Sequence, residues 1–413
     1  MAKTRRKRSA KSGTRRKKAV VRRPPFTIPD CKRFTGYKPC FPYTTCFDKC
    51  VDNVPIGTRI LIVNLDAMGH VLQTTALLPA IKRKYPQSHI SWITLHNTHL
   101  LLQNISYLDA VYVWEPESWL ILQSMKFDVL MNVDKSRRSC GFAMAMDAKK
   151  KLGFGLNENG VIVPLNREAH ENYLLGLDDY RKFRANDKPG VQILHETFGL
   201  EFRRDEYILE LSSEEKAFCE AYRRKLDIPE DHLVVGFNTG CSTLYPNKKM
   251  TVEQHVALIE RLSQHEGLTL LLLGGKEDTV RNAEIERRVG TRIISTPTTE
   301  GIRRGICYEN VCDVVVTGDS YGMHLAVALN KYVIVWFGVS SWTEIDLYGR
   351  GEKLIPEGLA CSPCWKQQCP YNLECIQMID LDRIVELVLA YRHSKKFVPN
   401  EVAVPDTTRN RKN

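Results

Sequence analysis

Two glycine-bearing turns carry an acid and a histidine each. "NLDAMGH" (64–70) holds Asp66 and His70 around Gly69, and "TGDSYGMH" (317–324) holds Asp319, Ser320 and His324. An imidazole of ordinary pKa, about 6.5, is mostly neutral at pH 7 and can take a proton from a hydroxyl group. Asp66 stands four residues before His70, where it can orient the ring or serve as the base itself. In the second turn Asp319 and Ser320 cap a predicted helix whose first turn would face an anion, with His324 as a further donor. A third stretch, "GFNTGCSTLYPNKKM" (236–250), offers the amides and hydroxyl of Asn238, Thr239 and Gly240 to the same anion, with Lys248 or Lys249 for charge. In "LLLGGKED" (271–278), Glu277 or Asp278 suits ribose hydroxyls. "NVDKSRR" (132–138) points Asp134 and Lys135 at an acidic acceptor or a sugar. Each stretch also has a plain reading as a strand-to-helix loop, a capped helix or a solvated turn.

Cysteines form a second set of candidates. Of thirteen, Cys31, Cys40, Cys46 and Cys50 fall within twenty residues, and Cys361, Cys364, Cys369 and Cys375 within fifteen. Thiols grouped this tightly suit a tetrahedral structural zinc or iron, with disulfides or free thiols as the alternative. Cys140, Cys219, Cys241, Cys307 and Cys312 are scattered and read as core thiols.

These residues must be positioned by a chain of 413 residues, 43% apolar and 26% charged, enough for two domains with cores of their own. From residue 59, short apolar runs alternate with helical segments. Strands are predicted at 59–64, 90–95, 111–114, 128–133, 233–238, 269–274, 292–295, 313–317 and 332–337. Continuous apolar runs separated by helices indicate parallel sheets covered on both faces, hence an α/β chain of two doubly wound domains. The expected division is a basic disordered tail over 1–30, a cysteine segment over 31–57, a first doubly wound domain over 58–200, a second over 201–395 that includes the cysteines of 361–375, and a polar tail over 396–413. Ligands in such folds lie beyond the carboxyl ends of the strands, here in the cleft between the sheets.

The net charge of +11 is located rather than general. Residues 1–23 carry twelve Lys and Arg and no acid, which leaves −1 on the rest. A nucleic-acid groove should be basic within the folded part, so the body is not one. The tail itself is a candidate for contact with anionic membrane or nucleic acid. It lacks an apolar signal region, and no apolar run approaches the ~18 residues of a membrane span, so the expected location is the cytoplasm, with the tail on the inner membrane face.

In order and spacing, "RILIVNLDAMGHVLQTTALLPAIK", "FNTGCSTLYPNKKM", "LLGGKED", "TGDSYGMHLAVALNKYVIVWFG" and "CSPCWKQQCPYNLECI" resemble glycosyltransferase family nine, the ADP-heptose:lipopolysaccharide heptosyltransferases, over about residues 58–390. The resemblance implies a GT-B fold, two Rossmann-like domains facing a cleft, with the acceptor on the first and the nucleotide-sugar donor on the second. It implies transfer of a sugar, a heptose from ADP-heptose, to a glycan or lipid-linked acceptor of the lipopolysaccharide type with inversion. No cofactor is then needed for catalysis. Thr239, Gly240 and Lys248 match the family's phosphate contacts, Glu277 or Asp278 its nucleoside acid, and Asp319, Ser320 and His324 its diphosphate turn. The family has aspartate as base where this chain has His70, and glycine directly after the hydroxyl residue where this chain has Tyr321. The alternatives are a protein-modifying heptosyltransferase with a cysteine-bound metal, as in some relatives, and a degenerate scaffold whose basic tail binds nucleic acid.

Overall fold

The computed structural model describes residues 28–46 and 50–396. The readings for the two tails lie outside these residues, apart from 28–30 and 396. Two compact units divide at Ile56 and Gly57. In the first, the four cysteines Cys31, Cys40, Cys46 and Cys50 line one cavity of about 220 Å³ together with Tyr43 and Asp52. Tyr43 closes it by donating its hydroxyl to Asp52 at 2.6 Å.

The second unit holds two six-stranded sheets. The first comprises β1 (Thr58–Val63), β2 (Ser88–Thr94), β3 (Ala110–Val113), β4 (Lys126–Asn132), β5 (Asp147–Leu156) and β6 (Ile162–Pro164), in the order β3-β2-β1-β4-β5-β6. Only β6 is antiparallel, to β5. Among them run α1 (Met68–Thr74), α2 (Leu77–Lys84), α3 (Pro116–Ser124), α4 (Arg137–Ala145), α5 (His170–Leu175) and α6 (Gly190–Thr197). After a crossing segment, α7 (Ser213–Lys225) leads into the second sheet. That sheet comprises β7 (Leu233–Asn238), β8 (Leu268–Leu273), β9 (Ile294–Ser295), β10 (Val314–Gly318), β11 (Tyr332–Trp336) and β12 (Gly351–Leu354). Its order is β12-β11-β10-β7-β8-β9, parallel throughout. Its helices are α8 (Val252–Leu262), α9 (Thr279–Val289), α10 (Ile302–Asn310), α11 (Tyr321–Ala328), α12 (Glu374–Gln377) and α13 (Leu381–Lys396).

The expected strands all form, with ends shifted by a residue or two. Three others do not show as apolar runs. β5 carries Lys149, Lys150 and Lys151 and buries only Phe154 and its flanking glycines, while β6 and β12 are short edge strands. An edge strand needs no two-sided apolar face, so its sequence loses that signal.

The central strands are almost wholly buried: Ile60 to Val63 in β1, Val314 to Val316 in β10. Burial of ~25 cal/mol per Å² of apolar surface over two such layers is the main term holding the sheets flat against their helices. One apolar cluster continues from α1, through Leu72 and Ala76, to Met323, Leu325 and Ala326 of α11, so the two halves share core. Strand order reverses between β1 and β4 in the first sheet and between β10 and β7 in the second. Adjacent helices leave to opposite faces at such points and open a crevice at the strand ends. The chemistry-bearing turns sit at these two points.

Candidate functional site

At the first reversal, Asn64 and Leu65 follow β1, both buried, and Asp134 lies two residues past β4. The Asp134 carboxylate stitches the two strand ends together: Asn64 Nδ2 donates to one oxygen at 2.6 Å and the Leu65 amide to the other at 2.5 Å. Only 5% of its side chain is exposed, and burial lifts its pKa to about 7 against these two bonds. His70 Nδ1 lies 3.9 Å from the same carboxylate. The imidazole is 36% exposed, and its pKa falls to about 4 through desolvation and then the nearby His324 and Lys135. It is therefore neutral at pH 7, but its acid limit lies below the 6.5 expected of a free ring.

Asp66 does not orient His70 with its side chain. Its carboxylate turns outward to Arg138 Nη2 at 2.7 Å, in a half-exposed pair. The Asp66 main chain accepts from the imidazole, and the carboxylate nearest the ring is that of Asp134, just past β4 and 64 residues further along. Asp134 was expected to face an acceptor and is instead buried beneath the turn. Lys135 also departs from expectation, since its ammonium donates to Asn172 at 2.8 Å (main-chain oxygen) and 3.0 Å (Oδ1). Desolvation and then Lys182 hold it down, to about 8.

At the second reversal, Asn238 ends β7 and packs its amide into the space left by Gly322 of α11; a Cβ there would overlap Asn238 Nδ2. Thr239 is buried, its hydroxyl 2.5 Å from Asn282 Oδ1. Gly240 lies against the Asp278 carboxylate, again with no room for a Cβ. Asp278 is itself buried and accepts the Gly275 amide at 3.0 Å, which makes it the fastener of the β8 turn. Of the two candidate acids, Glu277 is the exposed one.

Lys248 Nζ meets Asp319 Oδ2 at 2.7 Å, with both side chains nearly nine-tenths buried. Burial alone would raise the Asp319 pKa, but Lys248 and His324 outweigh it and hold the carboxyl below its ordinary range. Ser320 occupies the N-cap position of α11, yet its hydroxyl caps no helical amide and lies 3.4 Å from Thr317 Oγ1. The expected cap is thus absent, and the first-turn amides of α11 are not satisfied by it. Tyr321, the departure noted after Ser320, packs against the shared core.

The two halves meet at their reactive turns. α1 packs on α11, and Gly69 lies against the His324 ring so closely that a Cβ would overlap it. Tyr207, from the crossing segment, stacks on His324 with centroids 5.9 Å apart and planes 21° apart, its hydroxyl 3.4 Å from Nδ1. Burial brings the His324 pKa to about 4. Tyr207 lies in a stretch with neither strand nor helix periodicity, so nothing in the sequence marks it.

The cysteines of each cluster stand around one cavity. Cys361, Cys364, Cys369 and Cys375 line the smaller, and the thiols of the other three add to burial in pushing Cys375 up to about 11. Cys46 is raised likewise by burial and then by Cys40, Cys50 and Cys31. All are free thiols, and among the described residues no three His, Cys, Asp or Glu side chains are disposed to hold a metal ion. Of the scattered five, Cys241 is half-buried rather than core and donates to Tyr245 O at 3.1 Å. No helix among the described residues is long and apolar enough to cross a membrane.

The family model for glycosyltransferase family 9 (heptosyltransferase) matches residues 119–374. A lipopolysaccharide core heptosyltransferase, OpsX, from Haemophilus influenzae is 22% identical over 288 residues, 67% of this chain and 77% of that protein. Among solved structures, a family 9 glycosyl transferase from Veillonella parvula superposes with a TM-score of 0.62 at 15% identity, covering 82% of this chain and 97% of that one. ADP-heptose lps heptosyltransferase II of E. coli gives 0.61 at 18%, covering 82% and 100%. These likenesses make the two-sheet fold GT-B. The family match spans more than half of the chain, and the chain belongs to glycosyltransferase family 9 as a transferase of heptosyltransferase type.

Proposed function

We propose that this family 9 transferase moves a heptose from ADP-heptose to a glycan of the lipopolysaccharide-core type, with inversion at the anomeric carbon. The observation that carries the reading is the opposition of two unlike turns. One holds a neutral imidazole beside a buried acid, the other a lysine-bearing seat for an anion, and they meet at Gly69 and His324. The relatives named above, one acting in lipopolysaccharide core synthesis and one named for ADP-heptose, support the choice of donor and acceptor.

His70 accepts the proton of the acceptor hydroxyl. The hydroxyl oxygen bonds to the anomeric carbon as the bond to the diphosphate breaks, and that electron pair leaves on the diphosphate. Lys248, the α11 amides and His324 hold the departing charge, an electrostatic role that needs no metal. A base of pKa about 4 is weak, but the imidazolium it becomes is favoured by the Asp66 main chain and carboxylate, and the anionic donor would offset the Lys135 charge.

Zinc or iron at the cysteine clusters belongs to this reading only as a fastener of loops. The convergence of four thiols on one cavity supports it, although the side chains as they stand lack ligand geometry. Elemental analysis of protein prepared without chelator tests it, and less than a tenth of an equivalent of any transition metal rejects it. The basic residues of 1–23 would bind anionic lipid by charge.

The deciding experiment incubates the protein with labelled ADP-heptose and deacylated lipopolysaccharide core. Label on the glycan, with stoichiometric ADP and an inverted anomeric configuration by NMR, is expected. Absence of transfer under conditions where ADP binds would reject this acceptor class, and retention of configuration would reject the single displacement.

A further inference from the structure

The loop that carries the second cysteine cluster is anchored into the donor side. The amides of Cys364 and Trp365 both donate to Val339 O, at 3.1 and 2.7 Å, and Ser362 Oγ donates to Gly338 O at 2.6 Å. Asn247, the residue before Lys248, is buried and donates to Lys366 O at 2.8 Å. From the first half, Arg184 sends two guanidinium nitrogens to Ala360 O and Ser362 O, each at 2.8 Å. Three separate parts of the chain therefore hold residues 360–366, and they hold Trp365 at φ +50°, a left-handed conformation that a bulky side chain adopts only when its surroundings impose it.

The imposed position puts the Trp365 ring among cations. Lys248 Nζ lies 4.7 Å from its centroid and Lys182 Nζ 4.9 Å, with the Tyr245 ring 4.9 Å away. Lys248 comes from the second half and Lys182 from the turn over Arg181–Ala185 in the first. Each lysine has one carboxylate: Asp319 at 2.7 Å from Lys248, Glu344 at 3.6 Å from Lys182. Two ammonium groups on one ring each gain cation–π attraction and repel each other, and a polyanion between them relieves the repulsion. Trp365 is 39% exposed, so a ligand can reach it.

We propose that Lys182 and Trp365 complete the donor's diphosphate seat begun by Lys248, so that the seat is built from both halves and the cysteine loop selects a diphosphate over a monophosphate. This inference rests on the donor reading above. Lys182 closes onto the ligand from the acceptor half, and Trp365 shields both lysines from water, which strengthens their hold on the anion.

Calorimetric titration with ADP and with AMP, on the full chain and on Lys182→Gln, Trp365→Ala and Lys248→Gln, tests the proposal. ADP affinity should fall at least about tenfold in Lys182→Gln and Trp365→Ala, while AMP affinity changes less than about threefold, so discrimination between the two nucleotides collapses. Lys182→Gln leaves every loop anchor in place and decides the case if Trp365→Ala melts early. Wild-type ADP affinity in Lys182→Gln, with binding lost in Lys248→Gln, overturns the two-half seat and leaves the donor reading standing. Wild-type ADP affinity in Lys248→Gln as well overturns both.

Discussion

The turns after β1 and β10 are built alike and charged differently. Each follows a buried parallel strand at a point where strand order reverses, and each presents a histidine whose pKa burial brings to about 4. The buried carboxylates beside them part company, the first reaching the β1 turn from just past β4. Asp134 is buried with two hydrogen-bond donors and no cation in contact, and rises to about 7. Asp319 is buried against Lys248 and is held below its ordinary range. The same local architecture thus yields a group that gains or loses a proton near neutrality in one half and a fixed charge in the other. What separates anion holding from proton handling is the cation in contact with the carboxylate, Lys248 backed by His324 at Asp319.

Breaking each turn should break a different observable. Lys248→Gln should cost donor affinity by roughly 10²-fold or more, seen in ADP titration, because it also strands Asp319 as an unpaired buried charge. His70→Ala should leave ADP affinity unchanged and lower kcat by roughly 10²–10⁴-fold, the usual range for a lost general base. A loss of ADP affinity in His70→Ala, or full turnover, would put the base elsewhere.

Smaller effects sharpen the contrast. Asp134→Asn should lower kcat by about tenfold to a hundredfold and remove an acid limb of kcat/KM near pH 7, since the limb reports Asp134 rather than an imidazole that titrates at about 4. A limb that stays near 7 in this variant would assign it to another group. Stability offers a second reading of the same carboxyl. A folded pKa above the unfolded value means the native state binds the extra proton, so Asp134 destabilises progressively as pH rises from about 4 to about 7. His70 and His324 act in the opposite sense, with stability lost as pH falls from about 6.5 to about 4. The histidine contribution, to which buried His255 adds, levels off only about one pH unit above 6.5 and opposes that of Asp134 until then. Between pH 6.5 and 7.5 the Tm of Asp134→Asn should therefore rise more with pH than that of the wild type, and equal slopes would show that Asp134 does not titrate there. Asp66→Asn should change kcat by less than about twofold, because it breaks only a half-exposed pair.

Much of this was legible before any coordinates. The central strands announce themselves because burial on both faces forces unbroken apolar runs, as in "RILIV" and "VVVTG". The turn residues are legible because anion and proton chemistry restrict which side chains suit a strand's exit. Contacts between distant segments leave no such mark. That Asp134, not Asp66, reaches His70 depends on β4 lying beside β1, and Asp66 faces Arg138 because α4 starts there. Lys182 and Trp365 look ordinary in sequence, and their significance arises only where three loops converge. The family match spans residues 119–374, so the β1 turn with His70 lies outside it.

Gly69 has an unremarkable helical setting, so conformational freedom is not what requires glycine there. What it lacks is a side chain, and the missing volume is filled by a ring from the opposite half, 255 residues later. Position 69 is consequently a gauge of separation. Alanine adds one methyl group, serine a hydroxyl on that carbon and valine two methyls on it, each a larger wedge driven between α1 and α11. The largest side chain that still permits turnover measures how far apart the halves stand while substrates react.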